Sequence, residues 1–332
     1  MYNRVTMTPL YPFKFSPIFQ ERIWGGQNLK HTLGKVFDNQ FIGESWELSG
    51  LPNNQSVVAN GMLIGKTLTE LIETYKHDLV GNIIYQRFGS SFPLLFKYLD
   101  ACDNLSVQVH PSNEIAQKKH QCDGKTEMWY VVSASDNAQI IAGVKDNIEL
   151  KDIKQSIEKN TIEDLLHFHD AKQGDVFHIT EGIIHALGKG TIVAEIQQSS
   201  DITYRVYDYN RKDQHGKSRD LHINDALDCI VLNDVNKTHA DFSETDIQQE
   251  LVSCPFFTTN LLSITQPTSF NYQAIDSFVV YMSIEGDYVV ETSFSSLDVK
   301  KGDTILIPSS VKDIRIIPKD GGKALILETY IQ

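Results

Sequence analysis

The segment KQGDVFHITEGIIH, residues 172–185, decides the fold because a related segment, KKGDTILIPSSVKD, occurs again at residues 300–313. Each copy consists of a glycine–aspartate pair, an apolar run, a second break and a final polar residue. Short apolar runs between such breaks are typical of antiparallel strands joined by tight turns. The repeat therefore predicts two related β-barrels in one chain. Only the first copy ends in a histidine, His185, where the second has Asp313, so we expect the chemistry to lie in the first barrel.

The sequence around both copies predicts a mainly β protein with helical insertions in its N-terminal part. Residues 172–211 and 256–330 are series of short apolar runs separated by turn residues, which indicates strands in antiparallel barrels. Before them, Thr67 and Glu70 are spaced as a capping box among apolar residues at helical spacing. A helix is therefore expected to begin at Thr67.

Residues 233–250 are polar and acidic, and the stretch NDVNKTHADFSETD, residues 233–246, is the expected linker between the two series of strands. We therefore expect a catalytic domain over residues 1–235, which includes the helical insertions. The second domain, residues 236–332, is expected to be a β-barrel without metal ligands.

Composition limits the kinds of partner that this chain can bind. The chain has 332 residues, 41% of them hydrophobic, and a formal net charge of −13. Nucleic acid and anionic membrane surfaces call for clustered lysine and arginine, so neither is an expected partner. Four cysteines lack paired short spacing, and no window reaches the roughly 18 to 20 apolar residues of a membrane span. A cytoplasmic protein is expected, and the sequence indicates no oligomeric state.

The stretch LSVQVHPSNE, residues 105–114, is the first candidate for a metal site. Gln108 and His110 lie two residues apart on a predicted strand and therefore share a face. Glu127, at the start of the run GKTEMWYVVS, and His185 are the further candidates, because catalytic zinc takes three or four nitrogen and oxygen ligands. Taken singly, each has an ordinary alternative: a strand-end histidine bonded to backbone, a solvated glutamate and a core histidine.

Three charged residues on or near predicted strands allow two interpretations each. Lys97 either extends along a sheet edge or enters a polar pocket. Glu44, on an apolar face, is expected to bond a neighbouring strand or loop rather than a ligand. Arg211 is either a solvated turn residue or a cation for an anionic ligand.

Six segments occur in order along the first two thirds of the chain: ERIWGG (21–26), IGESWELSG (42–50), LSVQVHPSNE (105–114), GKTEMWYV (124–131), GDVFHITEGIIHALGKG (174–190) and ITYRVYDYNR (202–211). Together they closely resemble the type I mannose-6-phosphate isomerases, zinc enzymes of the cupin superfamily. The likeness extends from about Pro9 to Leu227 and is closest to the short bacterial branch of the family. It implies two cupin-type (jelly-roll) β-barrels, of which the C-terminal one has lost its metal ligands.

The resemblance also implies roles for individual residues. Each chain is expected to bind one zinc ion, and the substrate is expected to be a small sugar phosphate. The implied zinc ligands are His110, Glu127 and His185, with Gln108 as the fourth. The implied residues of the active site and its pocket are Arg205, Lys125 and Lys97. The resemblance does not assign Arg211, which stays either a solvated turn residue or a further cation for the substrate phosphate.

The implied reaction is the interconversion of mannose 6-phosphate and fructose 6-phosphate through an enediol. This reaction needs a base near the sugar carbons and a cation near the two oxygens, and Glu195 in the run TIVAEIQQ is the expected base. Two other functions use similar residues. They are an iron-dependent cupin oxygenase and a sugar-binding cupin without turnover.

Overall fold

Strands dominate the computed structural model, which describes residues 8–212, 216–232, 235–240 and 247–332. The strands are β1 (Phe13–Lys14), β2 (Ile18–Gly26), β3 (Ile42–Leu48), β4 (Gly50–Leu51), β5 (Asn54–Gln55), β6 (Leu94–Ala101), β7 (Val107–Val109), β8 (Glu127–Ala134), β9 (Gln139–Val144), β10 (Leu166–Asp170), β11 (Asp175–Ile179), β12 (His185–Leu187), β13 (Thr191–Gln198), β14 (Tyr204–Tyr207), β15 (Asn236–His239), β16 (Gln248–Ser253), β17 (Thr258–Ile264), β18 (Thr268–Asn271), β19 (Val279–Glu285), β20 (Tyr288–Glu291), β21 (Ser296–Val299), β22 (Thr304–Ile307), β23 (Asp313–Pro318) and β24 (Ala324–Tyr330). The α-helices are α1 (Asn28–Leu33), α2 (Leu68–Tyr75), α3 (His77–Val80), α4 (Asn82–Phe88), α5 (Asn113–His120), α6 (Leu150–Glu158) and α7 (Ile223–Leu227), and 3₁₀ turns cover Gly61–Leu63 and Ile162–Leu165.

The chain forms two compact units, and the first, here called the site unit, consists of the described parts of Ile18–Ser49 and Pro93–Asp241. Its larger sheet has the order β15-β11-β8-β13-β6-β3-β2, and its smaller sheet has the order β10-β9-β12-β7-β14. Buried apolar side chains from both sheets, such as Trp129 and Leu187, form one core. Strands β3, β6 and β13 of the larger sheet are buried at every position, so both faces of this sheet are covered.

The second unit, here called the C-terminal unit, repeats this arrangement. It consists of the described parts of Met1–Pro17, Gly50–Phe92 and Phe242–Gln332. A six-stranded sheet, β1-β22-β19-β24-β17-β16, and a four-stranded sheet, β18-β23-β20-β21, share a core of side chains such as Tyr281 and Ile316. The prediction of a mainly β protein is thus confirmed.

The glycine–aspartate repeat has the same geometry in both units. Gly174 and Gly302 have φ of 89° and 84°, values that favour glycine. The next aspartate in each copy accepts a hydrogen bond from the backbone N–H three residues earlier, at 3.0 Å for Asp175 and 2.8 Å for Asp303. The turn then starts β11 in one unit and leads into β22 in the other.

The helix expected at Thr67 is present, but it belongs to the C-terminal unit. Thr67 and Glu70 form the capping box of α2, with the Thr67 hydroxyl accepting from the Glu70 N–H. The helical segment then bonds to residues beside β19 and β22: Ser309 N donates to the carbonyl of Leu79 at 2.8 Å, and Phe278 N donates to that of Val80 at 3.2 Å. Grouping by contacts therefore differs from the expected division at residues 235 and 236.

Part of the expected linker is a strand. Within residues 233–250, β15 pairs antiparallel with β11, which places Thr238 opposite Val176. Lys237 and His239 also contact Asp175, at 2.9 and 2.8 Å, so polar sequence at this place reflects a sheet edge rather than a free connection. Residues 233–234 and 241–246 of the predicted linker lie outside the described residues.

Candidate active site

Three buried side chains meet at the ends of three strands in the site unit. His110 directly follows β7, Glu127 begins β8 and His185 begins β12. The Nε2 atoms of His110 and His185 are 3.1 Å apart, and the carboxylate oxygens of Glu127 lie 3.6 and 3.5 Å from them. Ligand atoms about 2.0 Å from one tetrahedral ion would be about 3.3 Å apart, so the cluster has the dimensions of a metal site.

The hydrogen bonds of the two imidazoles leave their Nε2 atoms without protons. His110 Nδ1 lies 2.9 Å from the carbonyl of Ile202, and His185 Nδ1 lies 2.8 Å from that of Ile183. A carbonyl only accepts, so each Nδ1 must donate, and each neutral ring then presents the lone pair of Nε2. Burial lowers the pKa of His110 well below its usual value and that of His185 to about 4, so both rings are neutral at pH 7.

The carboxylate of Glu127 completes a cluster that fits a cation. Among the described residues, neither of its oxygens accepts a hydrogen bond of good geometry, although the side chain is fully buried. Burial raises the pKa of Glu127 to about 7 against the effect of Lys125, whose Nζ lies 3.0 Å away. Two lone pairs and a carboxylate that converge without a shared proton fit a divalent metal ion, which would favour the ionised form of Glu127.

Gln108 lies beside this cluster, as its spacing from His110 predicts. β7 pairs with β12 so that Gln108 is opposite His185, and its amide Nε2 lies 3.4 Å from His185 Nε2. The side-chain amide can rotate to present its oxygen in the same place. Gln108 also lines the adjacent cavity, so it can contact either a metal ion or a substrate hydroxyl.

A cavity of about 410 Å³ opens next to the cluster and is lined mainly by charged and polar side chains. They include five cationic side chains: Arg22, Lys97, Lys125, Arg205 and Arg219. The other lining residues are Trp24, Glu44, Leu99, Leu105, Ser106, Gln108, Glu195, Asp201 and Thr203. The expected pocket residues Lys97, Lys125, Arg205 and Glu195 are thus brought together, whereas Arg211 is not among the lining residues.

Glu195 lies within ion-pair distance of both buried lysines of the pocket, Lys97 and Lys125. Its Oε1 lies 3.0 Å from Lys97 Nζ and 4.0 Å from Lys125 Nζ, while its Oε2 accepts a hydrogen bond from the indole of Trp129 at 2.9 Å. Burial alone would raise the pKa of Glu195, but Lys97 and Lys125 outweigh it and lower the pKa to about 2. Lys97 therefore lies inside a polar pocket and not at a sheet edge.

Three arginines on β14 and in the segment after it make different contacts. Arg205 donates to the Ser106 hydroxyl at 3.2 Å and to the carbonyl of Asp220 at 2.9 Å, which fixes its guanidinium at the pocket wall. Arg211 instead binds Asp208 at 2.6 Å and Asp103 at 3.2 Å. Arg219 binds the same Asp208 at 2.5 Å and lines the pocket. Sequence reasoning missed Arg219, because it lies outside every segment that carries the resemblance.

Glu44 and Arg22 also reach the pocket. As expected, Glu44 bonds a neighbouring strand: Arg22 of β2 donates to it through Nε at 2.8 Å and Nη2 at 3.3 Å. Glu44 nevertheless lines the pocket as well, which the sequence did not predict. The sequence could have pointed to Arg22 as a pocket residue, because it lies in the segment ERIWGG, two residues before the lining residue Trp24.

Within the described residues, His110, Glu127 and His185 form the one group of histidine, cysteine, aspartate or glutamate side chains with metal-site spacing. At the position of the repeat that corresponds to His185, the C-terminal unit has Asp313, which is exposed and accepts a hydrogen bond from Asn271 at 2.6 Å.

No helix in the described part of the chain is long and apolar enough to cross a membrane.

Comparisons with known proteins identify the family to which the chain is similar. Residues 12–130 match the catalytic-domain model of type I phosphomannose isomerase, and residues 247–319 match the cupin-domain model of mannose-6-phosphate isomerase. The chain is 36% identical over 316 residues to mannose-6-phosphate isomerase ManA of Bacillus subtilis, covering 94% of this chain and 96% of that protein. It is 38% identical over 294 residues to mannose-6-phosphate isomerase of Streptococcus mutans, covering 88% and 90%. The crystal structure of mannose 6-phosphate isomerase from Bacillus subtilis superposes with a TM-score of 0.84 at 31% identity, over 96% of this chain and 99% of that one.

Proposed function

The chain belongs to the type I phosphomannose isomerases, and from this premise we propose that it interconverts mannose 6-phosphate and fructose 6-phosphate. The observation that carries the proposal is the His110, Glu127 and His185 cluster beside a cavity lined by five cationic side chains. A metal-ligand set of two neutral imidazoles and a carboxylate, next to clustered cations, suits a substrate that has both hydroxyl oxygens and a phosphate.

We assign one zinc ion per chain to the cluster, with His110, Glu127 and His185 as ligands and Gln108 as the fourth. Zinc accepts nitrogen and oxygen ligands in tetrahedral geometry, which agrees with the spacing of the ligand atoms. When bound, it supplies Lewis-acid stabilisation of the negative charge that develops on the substrate oxygens. The carbonyls of Ile183 and Ile202 hold the two imidazoles in the tautomer that a metal requires.

We assign the substrate phosphate to Arg205 and Arg219. A guanidinium donates two parallel hydrogen bonds to a phosphate, and both arginines line the pocket. Asp208, which is buried, holds Arg219 at 2.5 Å and Arg211 at 2.6 Å. Arg211 therefore supports the phosphate site through Asp208, in place of the direct contact that was expected of it.

The group of Lys97, Glu195 and Lys125 is assigned to the reacting end of the sugar, where its two ammonium groups stabilise the negative charge that develops on the substrate oxygens. A base works best when its pKa lies near the working pH, and the lowered pKa of Glu195, about 2, weighs against its expected role as the base. Its contacts favour a different task, which is to anchor both ammonium groups at the pocket. The ammonium of Lys125, 3.0 Å from Glu127, can donate to a substrate oxygen beside the metal ligands.

The reaction is assigned to the site unit alone.

A cytoplasmic location is also proposed for the protein. All four cysteines, Cys102, Cys122, Cys229 and Cys254, are free thiols. Unpaired cysteines are the usual state in a reducing compartment, which supports that location.

The test is a coupled assay of the purified protein with mannose 6-phosphate, before and after chelation and again after zinc is added back. Fructose 6-phosphate should form, disappear with the chelator and return with zinc. Absence of product from zinc-loaded protein would refute the proposal. Oxygen consumption by iron-loaded protein in the same assay would favour the oxygenase alternative instead.

A further inference from the structure

Two carboxylates flank the buried ammonium of Lys97. Its Nζ lies 3.0 Å from Glu195 Oε1 and 3.9 Å from Glu44 Oε2. The strand pairing creates this arrangement, because Lys97 on β6 is opposite Glu195 on β13 and opposite Trp46 on β3. All three charged side chains are buried, so both carboxylates attract the ammonium strongly. The position of Lys97 therefore depends on what else each carboxylate binds.

Each carboxylate also accepts one indole hydrogen bond, but on a different oxygen with respect to Lys97. Trp129 Nε1 donates to Glu195 Oε2 at 2.9 Å, which leaves Oε1 for Lys97. Trp46 Nε1 donates to Glu44 Oε2 at 2.6 Å, the oxygen that lies 3.9 Å from Lys97. An indole is neutral, so it does not neutralise the charge of either carboxylate.

Arg22 forms an ion pair with only one of the two carboxylates, that of Glu44. Its Nε and Nη2 form a fork on both oxygens of Glu44, at 2.8 and 3.3 Å. Glu195 has no arginine among its contacts within the described part of the chain, and its cations are Lys97 and Lys125. Arg22 is also the more accessible partner, with a side chain 30% exposed to the pocket, whereas Lys97 is almost fully buried.

We propose that Arg22 is a positioning residue that keeps the Lys97 ammonium on Glu195 by occupying Glu44. The fork satisfies the charge of Glu44, so Glu44 exerts little further attraction on Lys97. Without Arg22, Glu44 would remain buried with Lys97 as its nearest cation, and the ammonium would move across the 3.9 Å gap. Arg22 need not touch the substrate. The inference rests on the proposed function only in the consequence that a displaced Lys97 slows the reaction.

The first test is the crystal structure of Arg22→Ala, which does not depend on activity. Lys97 Nζ should lie within hydrogen-bond distance of Glu44 and farther from Glu195 than in the wild-type protein. An unchanged Lys97 would overturn the proposal. If Arg22→Ala does not fold, Arg22→Lys offers a cation without the fork, and its Lys97 should move partway towards Glu44.

The second test is a double-variant cycle on the isomerase reaction, with metal content and thermal unfolding measured for each protein. Arg22→Ala should lower kcat by about tenfold or more and change KM much less. Adding Glu44→Gln removes the competing charge and should restore most of the lost kcat, and Glu44→Gln alone should lose less than Arg22→Ala. A double variant no more active than Arg22→Ala would overturn the proposal. A wild-type protein inactive on mannose 6-phosphate would instead refute the proposed function, and the Lys97 position would still test the role of Arg22.

Discussion

His185 and Asp313 follow the same glycine–aspartate turn in two barrels, yet their surroundings are opposite. His185 is fully buried and converges with His110 and Glu127. Asp313 is exposed and bonds Asn271. The repeated turn therefore sets the start of each strand, whereas the neighbouring strands decide whether the residue there can bind a metal.

The two units also differ in whether their buried polar clusters are satisfied by hydrogen bonds within the protein. In the C-terminal unit, Tyr281 and Tyr272 form a hydrogen-bonded chain to Glu328, whose other oxygen accepts from Asn260 at 2.8 Å and Gln248 at 3.0 Å. That cluster is satisfied internally. The His110, Glu127 and His185 cluster is not, because its lone pairs face one another. Unsatisfied buried polar atoms distinguish a ligand site from a structural network.

The largest expected difference comes from the two matched positions of the repeat. His185→Ala should lose the bound metal and nearly all isomerase activity, because one of three convergent ligands is removed. Asp313→Ala should keep both. Metal analysis of the purified variants and the coupled assay measure the two effects. Full metal content and activity in His185→Ala would show that the ligand set is wrong.

Arg205→Ala should lower turnover by roughly a hundredfold or more while metal content and fold stay intact, because a fixed cation for the substrate is lost. Arg315→Ala is the matched control, since Arg315 is an exposed residue on β23 of the other unit. Steady-state kinetics and metal analysis of both variants test this. Near-normal turnover in Arg205→Ala would remove Arg205 from the site.

Asp175→Asn should destabilise the protein by about 1 to 3 kcal/mol at neutral pH, because a charged acceptor of several hydrogen bonds is lost. Burial alone would raise the pKa of Asp175, but Lys237 and His239 outweigh it and lower the pKa. The stabilisation is therefore complete above the unfolded pKa of about 3.9 and lost as the pH falls through the lower folded pKa. Urea unfolding should show the difference from wild type shrinking below about pH 4. An equal difference at neutral and acid pH would contradict a stabilising role for the Asp175 carboxylate. Asp303→Asn makes the matching change in the glycine–aspartate turn of the C-terminal unit.

Tyr272→Phe should have the smallest effect, a loss of about 1 kcal/mol in the free energy of unfolding. It removes the hydrogen bond to Glu328 and leaves the aromatic packing of the C-terminal unit in place. Unfolding curves and kcat should be measured together. A fall in kcat without a fall in stability would mean that this cluster takes part in the reaction.

Much of the fold could be predicted because its signals are local. The capping box at Thr67 and the two glycine–aspartate turns each depend on a few adjacent residues. Which unit a segment joins could not be predicted in this way. Helix α3 after Thr67 accepts hydrogen bonds from Phe278 and Ser309, about two hundred residues later, and polar residues around Thr238 form an edge strand.

For the site, the sequence alone determined the candidate metal ligands, from a strand spacing, the repeat and a family resemblance. Only the tertiary structure decided that two Nε2 lone pairs face each other at 3.1 Å, that Arg219 rather than Arg211 lines the pocket, and that Arg22 holds Glu44 beside Lys97. The physical reason is that strand order and register set the distances between residues far apart in the chain. Those distances determine which charges are satisfied internally and which can act on a ligand.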